Sequence, residues 1–477
     1  MNIIQTGYES SEKLKLFVNM FFSENEEGII YSDFSKCGQN INIYTVIIYN
    51  GIPYTDEYFY KCDFYDFKSV KNICECAIIK SFVRAASKIR NIPLPWGVMC
   101  GIRPAKMVRE LYERGFSKEK AYDYLKDVYN ISDEKLKLSF KVAENEKEIL
   151  KNNKKDVVSL YIGIPFCPTR CLYCSFVSTD IRVSGKYIDD FVDLLLKEII
   201  KAAEILKEMG STVENIYIGG GTPTTLSASQ LEKIYKYLNK YIITDRLREF
   251  TLESGRPDTI TKEKLYISKE FGVNRISINP QTMNDETLIK IGRAHTTDMI
   301  YSAFSDARDV GFDVINMDLI AGLPGETPEM FYNSIDKCVN LDPENITVHC
   351  MCVKRAANLN RMGINLTEYD DMIKMLGFTD KRMNEKGYSP YYMYRQKNMS
   401  GNLENVGYAK KDCMSFYNIN IMEEVQTIIA LGGGGSSKIV NGDRIERIFN
   451  FKDPAEYIKR FDEILKKKDE ILLFSKL

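Results

Sequence analysis

Histidine is almost absent: there are two in 477 residues, His295 and His349. That excludes a His-rich zinc site and sets histidine-based catalysis aside as an expectation. An excess of one charge is absent too. Lys and Arg number 65 against 66 Asp and Glu, a net charge of −1, so the chain has no global electrostatic footprint for nucleic acid or an anionic membrane surface. No run approaches the ~18 apolar residues that a membrane span requires. The most apolar stretch, Asp193 to Leu206, is interrupted by Lys and Glu. The opening MNIIQTGYESSEKLKLF lacks the basic and apolar regions of a secretory signal. The expectations are a cytoplasmic location, no membrane span and no nucleic-acid partner. Tryptophan occurs once, as Trp96.

Cysteine is not scarce, at 12 residues, and without a secretion signal it reads as thiols or metal ligands rather than disulfides. Cys37, Cys62, Cys74, Cys76, Cys100, Cys338, Cys350, Cys352 and Cys413 are scattered and are expected to pack as small buried hydrophobes. The other three are not scattered. In YIGIPFCPTRCLYCSF, Cys167, Cys171 and Cys174 follow one another as C-x3-C-x2-C.

Three regions are expected. Residues 1–155 read as an α+β domain of unknown role, with strands at 40–49 and 55–67 and a helix at 69–90. The polar KNNKKD (151–156) reads as a linker. Residues 156–355 alternate strand, glycine-rich or polar loop, and helix, with strands near 157–164, 213–220, 247–254, 273–281, 312–321 and 344–353. Such alternation predicts parallel strands covered by helices, and motifs at successive strand ends favour a full or partial barrel. Ser184 is the expected cap of a helix ending at Gly210. From 356 to 477 the alternation stops. This region is read as separate, with helices at 367–386 and 453–468.

Three cysteines so closely spaced on the loop after a first parallel strand converge on one centre. Structural zinc usually takes a fourth ligand from a second pair or a histidine, and none lies nearby. A 4Fe–4S cluster commonly takes four cysteines, so three leave one iron open to a ligand. Pro165 and Pro168 stiffen the loop. At the end of the second strand, GGGTP (219–223) permits positive φ and close backbone approach.

The motif resembles that of the radical SAM enzymes, in which three thiolates hold the cluster and S-adenosylmethionine chelates the fourth iron. GGGTP looks like that family's glycine motif. The chain is closer still to the oxygen-independent coproporphyrinogen III oxidases and their paralogues, and most similar to the HemZ-type coproporphyrinogen dehydrogenases. The resemblance spans essentially the whole chain and implies a partial (β/α)6 TIM-like barrel of radical SAM type. It also implies a 4Fe–4S cluster on Cys167, Cys171 and Cys174. One or two S-adenosylmethionine molecules would be contacted by Tyr161, Tyr173, Gly220, Gly221, Thr222, Glu253, Gln281, Arg293 and Asp318, with Cys352 facing the second-cofactor region. A flavodoxin or ferredoxin would donate electrons to the cluster. The implied substrate is a tetrapyrrole. Its carboxylates would find Lys354, Arg355, Arg395 and Lys397, and its rings the Tyr391–Tyr394 run. Two positions depart from the oxidases: Phe176 replaces a further cysteine, and Gly163 replaces a histidine. In FYNINIM (416–422), Tyr417 stands where the heme-chaperone paralogues carry a heme-binding histidine. Decarboxylation of coproporphyrinogen III is the expected activity. A heme-binding chaperone-like paralogue and a radical methyltransferase acting on heme are the alternatives.

Overall fold

The computed structural model of the chain describes residues 1–8, 11–61, 70–101, 103–154, 156–175, 178–351, 367–395, 403–442 and 444–475. Residues Met1–Ala143 form one compact unit, and most of the chain from Glu144 onward forms a second.

The first unit is a sheet of β1 (Asn2–Thr6), β2 (Gly28–Cys37), β3 (Asn40–Tyr49) and β4 (Ile52–Lys61) in that order, with β1 parallel to β2 and the rest antiparallel. The β3–β4 loop is Asn50-Gly51, with φ of 52° and 76°. An Asn-Gly pair supplies the two positive φ angles that such a tight hairpin needs. Alternation in β3 turns Ile41, Ile43 and Ile47 inward, where they meet Leu14, Phe17 and Phe21 of helix Ser11–Phe21 and Ile78 and Phe82 of helix Val70–Ser87. Of the scattered cysteines, Cys74, Cys338 and Cys350 are buried as expected, whereas Cys37 is exposed where β2 meets its hairpin. Cys62 and Cys352 lie outside the described residues.

The second unit is built on β5 (Val157–Ile164), β6 (Phe166–Cys167), β7 (Thr179–Asp180), β8 (Thr212–Gly220), β9 (Glu249–Glu253), β10 (Arg275–Ser277), β11 (Val314–Ala321), β12 (Asn345–Cys350), β13 (Ser389–Arg395), β14 (Glu404–Ala409), β15 (Ile428–Gly432), β16 (Ser436–Asn441) and β17 (Arg444–Phe449). Apart from the small β6–β7 pair, they form one sheet in the order β13-β14-β12-β11-β10-β9-β8-β5-β15-β16-β17. Strands β15, β5, β8, β9, β10, β11 and β12 are parallel. Each βα step has local causes. Ser227, Thr261, Thr296 and Thr327 cap their helices through side-chain oxygens, and Gly210 and Gly311 end theirs in the left-handed conformation. β5 is buried along nearly its whole length, as a parallel strand covered on both faces must be.

Three sequence expectations shift. The long helix begins at Ile188 rather than at Ser184, after a turn of 3-10 helix at Gly185–Tyr187. Ser184 instead donates to Asp180 O at 2.9 Å and bonds Thr179 Oγ1 at 2.7 Å, closing the β7 turn. The last helix breaks at Arg460 into Pro454–Lys459 and Phe461–Ser475. After residue 367 the chain extends both edges of the barrel sheet: β14 and β13 pair antiparallel beyond β12, and β15 enters parallel beside β5.

Two buried polar networks fasten these additions. Helix Phe416–Glu423 is held from β9, where Glu249 accepts from Ser415 Oγ at 2.8 Å, Phe416 N at 2.9 Å and Tyr417 N at 3.3 Å. Arg275 stands 3.4 Å behind that carboxylate. At β15, Glu198 and Lys468 are fully buried 3.2 Å apart. Glu198 accepts from Gly432 N at 2.8 Å, Asn450 Nδ2 at 2.7 Å and Tyr457 OH at 2.6 Å. Lys468→Met would leave the Glu198 carboxylate buried without its cation, a loss of about 3–5 kcal/mol. Denaturant unfolding checks this: the double variant Glu198→Gln/Lys468→Met should be less destabilised than Lys468→Met alone.

Candidate active site

The cysteine loop leaves β5 through a gap made by glycines. A Cβ on Gly163 would lie 2.6 Å from Gly433 O, one on Gly220 2.9 Å from Ile164 O, and one on Gly221 2.6 Å from Phe166 O and 2.9 Å from Cys167 Sγ. Gly221 N donates to Ile164 O, and Thr222 N to Phe166 O, both at 2.8 Å. Thr179 N donates to Pro165 O at 2.8 Å and closes the loop's base. Its far side is tied to the segment after helix Asp285–Lys290: Leu172 N donates to Ile291 O at 3.0 Å and Thr169 Oγ1 to Gly292 O at 3.3 Å. Leu172 and Tyr173 pack on Leu288, Ile291, Ile320, Leu323 and Met351.

On this loop Cys171 is buried, and Cys167 and Cys174 are half-buried. Burial pushes the Cys167 thiol up, against hydrogen bonds from Thr222 and Ser178. Thr222 Oγ1 donates to Cys167 Sγ at 3.5 Å. Arg256 Nη1 points at Cys171 Sγ from 3.8 Å.

Around the loop, the C-terminal ends of the parallel strands carry the other sequence-predicted residues. Glu253 ends β9 beside Gly219, where a Cβ would meet Glu253 Oε2 at 2.7 Å. Burial, then the nearby Asp318 carboxylate, push Glu253 up to about 8, against the Gly220 N–H and Arg293. Gln281 is buried with φ of 69°, a left-handed conformation that costs a non-glycine residue strain. Its N–H donates to Asp318 O and its carbonyl accepts from Ile320 N, both at 2.9 Å. Arg293 is buried and straps two strand ends together, donating through Nη1 to Asn279 O at 2.6 Å and Gly255 O at 3.1 Å, with Tyr173 and Cys171 in its electrostatic reach. Tyr161 lies inside the barrel, stacked 6.2 Å from Tyr217 and 6.5 Å from Tyr417.

The structure thus gathers Tyr161, Cys167, Cys171, Tyr173, Cys174, Gly220, Gly221, Thr222, Glu253, Gln281, Arg293 and Asp318 at one end of one sheet. Arg395 ends β13 opposite Glu404 of β14 and is buried. Tyr391 and Tyr392 are buried too, in a cluster with Ala409 and Ile419, which leaves Tyr394 as the half-buried ring of that run. Cys352, Lys354, Arg355 and Lys397 lie outside the described residues.

Several residues escaped the sequence reading. Tyr217 stacks on Tyr417 at 4.7 Å, so three phenols fill the barrel below Glu253. Period-two alternation from Gly219 would have found Tyr217. Both histidines, set aside by their scarcity, stand at carboxylates of this end. His349 Nε2 is 3.7 Å from Asp318 Oδ2 and its Nδ1 is 3.4 Å from Tyr394 OH. His295 Nδ1 is 3.8 Å from Asp258 Oδ1, and burial pushes its pKa down. The Arg in GRPD was visible beside Glu253, but its direction was not.

The site fits a 4Fe–4S cluster with an attached ligand. Among the described residues no three His, Cys, Asp or Glu stand close enough to share a single metal ion, but a cluster does not require that, since each thiolate takes its own iron. Beside the cysteines, Ser254 Oγ, Ser277 Oγ, Asn279 Oδ1 and Arg293 Nε are buried with no hydrogen-bond partner among the described residues. Ser254, Ser277 and Asn279 end or follow β9 and β10, Arg293 follows helix Asp285–Lys290, and buried polar atoms ordinarily have partners.

A parallel α/β sheet whose first strand-end loop carries three cysteines against a glycine motif defines a radical SAM protein, and the Radical SAM superfamily model matches residues 161–338. The chain is 37% identical over 478 residues to the oxygen-independent coproporphyrinogen-III oxidase-like protein HemZ of Bacillus subtilis, covering 96% of this chain and 95% of that one. It therefore belongs to the HemZ-like branch of the oxygen-independent coproporphyrinogen oxidase family. The heme chaperone HemW of the same organism is 36% identical over 238 residues, 49% of this chain and 62% of its own. Coproporphyrinogen III oxidase (HemN) of Escherichia coli, described as a radical SAM enzyme, shares the fold with a TM-score of 0.54 at 24% identity, over 68% of this chain and 73% of that one. Membership of this family implies a 4Fe–4S cluster and S-adenosylmethionine. No helix among the described residues is long and apolar enough to cross a membrane.

The raised Glu253 pKa has a sign that can be measured. The carboxyl moves from its ordinary 4.5 to about 8 on folding. The native state therefore binds more protons than the unfolded state across that window, and stability falls as pH rises through it. Glu253→Gln removes this dependence. The melting temperature of the ligand-free variant relative to wild type should rise steadily between about pH 5 and about pH 8; a flat difference would place the carboxylate in a less buried setting.

Proposed function

We propose that the protein is a radical SAM enzyme that converts coproporphyrinogen III to protoporphyrinogen IX without oxygen, by oxidative decarboxylation of two propionates. The observation that carries this reading over its relatives' heme trafficking is Tyr417. Where the heme chaperones have a histidine, helix Phe416–Glu423 turns a tyrosine into the barrel, 5% exposed and stacked on Tyr217. Burial raises the pKa of that phenol well above its ordinary value, so it stays protonated and is a poor ligand for an incoming heme iron.

Cys167, Cys171 and Cys174 would hold a 4Fe–4S cluster, which together with bound S-adenosylmethionine would supply radical chemistry able to take a hydrogen atom from carbon. The protein's part is placement and exclusion. The Gly219–Gly221 backbone leaves room for the methionyl group beside Cys167. Glu253 waits protonated near neutral pH. A cation nearby, or hydrogen bonds donated by ribose hydroxyls, would favour its ionised form and release that proton to solvent. Gln281, Arg293 and Asp318 orient the same cofactor molecule or hold a second. The stacked phenols of Tyr161, Tyr217 and Tyr417 would limit the access of water to the radical. Lys354, Arg355 and Lys397 would receive substrate carboxylates, since Arg pairs them bidentately, whereas Arg395, buried opposite Glu404, is not free to do so. Each propionate gives up one hydrogen atom, CO2 and one electron, the last to an external acceptor. A small electron carrier such as a flavodoxin or ferredoxin reduces the cluster, and the work is done in the cytoplasm.

The test is anaerobic turnover of the reconstituted protein with coproporphyrinogen III. A monovinyl intermediate should precede the product, because the two propionates react in sequence. Cys171→Ala should abolish both cofactor cleavage and turnover. Arg355→Ala should lower kcat/KM by roughly ten- to a hundredfold, the equivalent of one charge-assisted hydrogen bond of about 1.5–3 kcal/mol, while leaving uncoupled cofactor cleavage intact. Cleavage of S-adenosylmethionine with coproporphyrinogen untouched and heme bound would move the protein to the chaperones.

A further inference from the structure

Arg256 is 3% exposed and lies beyond β9, just before the turn Pro257–Thr259. One edge of its guanidinium is spent on Asp258: Nε reaches Oδ1 at 2.9 Å and Nη2 reaches Oδ2 at 3.0 Å. That bidentate pair fixes the plane and direction of the group. Its remaining nitrogen, Nη1, is thereby aimed into the cysteine loop, 3.2 Å from Thr169 Oγ1, 3.4 Å from Thr169 O and 3.8 Å from Cys171 Sγ. The turn is secured on both sides. Thr259 Oγ1 donates to Arg256 O at 2.8 Å and bonds Thr224 Oγ1 at 2.6 Å, while His295 backs Asp258 from 3.8 Å. A buried ion pair needs only its two partners. The contact onto a cysteine sulfur is additional, and a lysine, a single point of charge, could not hold Asp258 bidentately and reach the sulfur as well.

We propose that Arg256 sets the reduction potential of the cluster through the sulfur of Cys171, with Asp258 as its positioning residue. The inference rests on Cys171 being a cluster ligand. Hydrogen bonds to ligand sulfurs are among the factors that set iron–sulfur potentials, and groups behind the ligands tune the metal. The reduced cluster carries one more negative charge than the oxidised one. A cationic N–H donor therefore stabilises the reduced form more, and raises the potential at which an external one-electron carrier can fill it. Asp258 offsets part of the guanidinium charge and leaves an oriented donor.

The test is a redox titration of the anaerobically reconstituted full chain, followed by electron paramagnetic resonance without S-adenosylmethionine, for wild type, Arg256→Lys and Asp258→Asn. Iron and sulfide are counted in each. Arg256→Lys should retain the wild-type iron content and lower the ratio of reduced to oxidised cluster at a fixed potential by about tenfold, or about 59 mV for one electron. Asp258→Asn keeps an acceptor for the guanidinium but removes the charge that offsets it, so it should shift the ratio in the opposite direction by less. A full cluster at the wild-type potential in Arg256→Lys overturns the inference. Should Arg256→Lys lose its iron, Asp258→Asn decides, and an unshifted potential there overturns it equally. A wild-type protein that takes up no cluster, or a Cys171→Ala variant that keeps a full one, sinks the cluster reading itself and this inference with it.

Discussion

Two backbones touch where β5 ends. Gly433 donates its N–H to Gly163 O at 2.9 Å, and a side chain on either residue would collide with the other strand or with Pro165. On the opposite side of β5, Gly220 and Gly221 come as close to Ile164 and Phe166. Glycine is required at these contacts because only a residue without Cβ admits such an approach. The cysteine loop emerges between them, so its course is fixed by main chain rather than by side chains that could repack. This also accounts for Gly163 standing where the resembling oxidases have a histidine: with β15 alongside, there is no volume for one. The outer turn is in turn held by the buried Glu198–Lys468 pair through Gly432 N.

Below that rim the barrel is lined by aromatic rings. Glu249, Arg275 and the helix they anchor occupy the floor, and the Tyr161–Tyr217–Tyr417 stack lies above it. Burial raises the pKa of all three phenols, which keeps them neutral. The first ionisable groups above them are Glu253 and Asp318, at the level where a ligand would enter. An uncharged aromatic floor under a pair of carboxylates lowers the local polarity and strengthens electrostatic contacts made at that level.

The βα alternation and the cysteine and glycine motifs were legible because each is local: periodicity within a segment, or spacing within a loop. Strand positions for β8, β9, β11 and β12 came within a few residues for that reason. What the sequence concealed was pairing at a distance. β15 is a short apolar run ahead of a glycine turn, and nothing in it says that it will lie beside β5, more than 250 residues earlier in the chain. β13 and β14 were read as an aromatic, basic segment suited to a ligand, yet the sheet buries Tyr391 and Tyr392 against Ile419. Composition is shared by cores and binding faces, and only tertiary contact tells them apart. The two histidines illustrate a related limit. Scarcity bounds how many roles a residue type can fill, not where its few copies stand.

The order in which the sheet is assembled has a consequence for biosynthesis. β15, which completes the seat of the cysteine loop, is made long after Cys174 has left the ribosome, by roughly tens of seconds at ordinary elongation rates. Throughout that interval β5 has an open edge and the loop lacks one wall. An iron–sulfur donor that acted on the nascent chain before β15 was made would meet a half-built site. A ribosome stalled short of Gly433 would hold a polypeptide that carries all three cysteines and still lacks the contact that seats their loop.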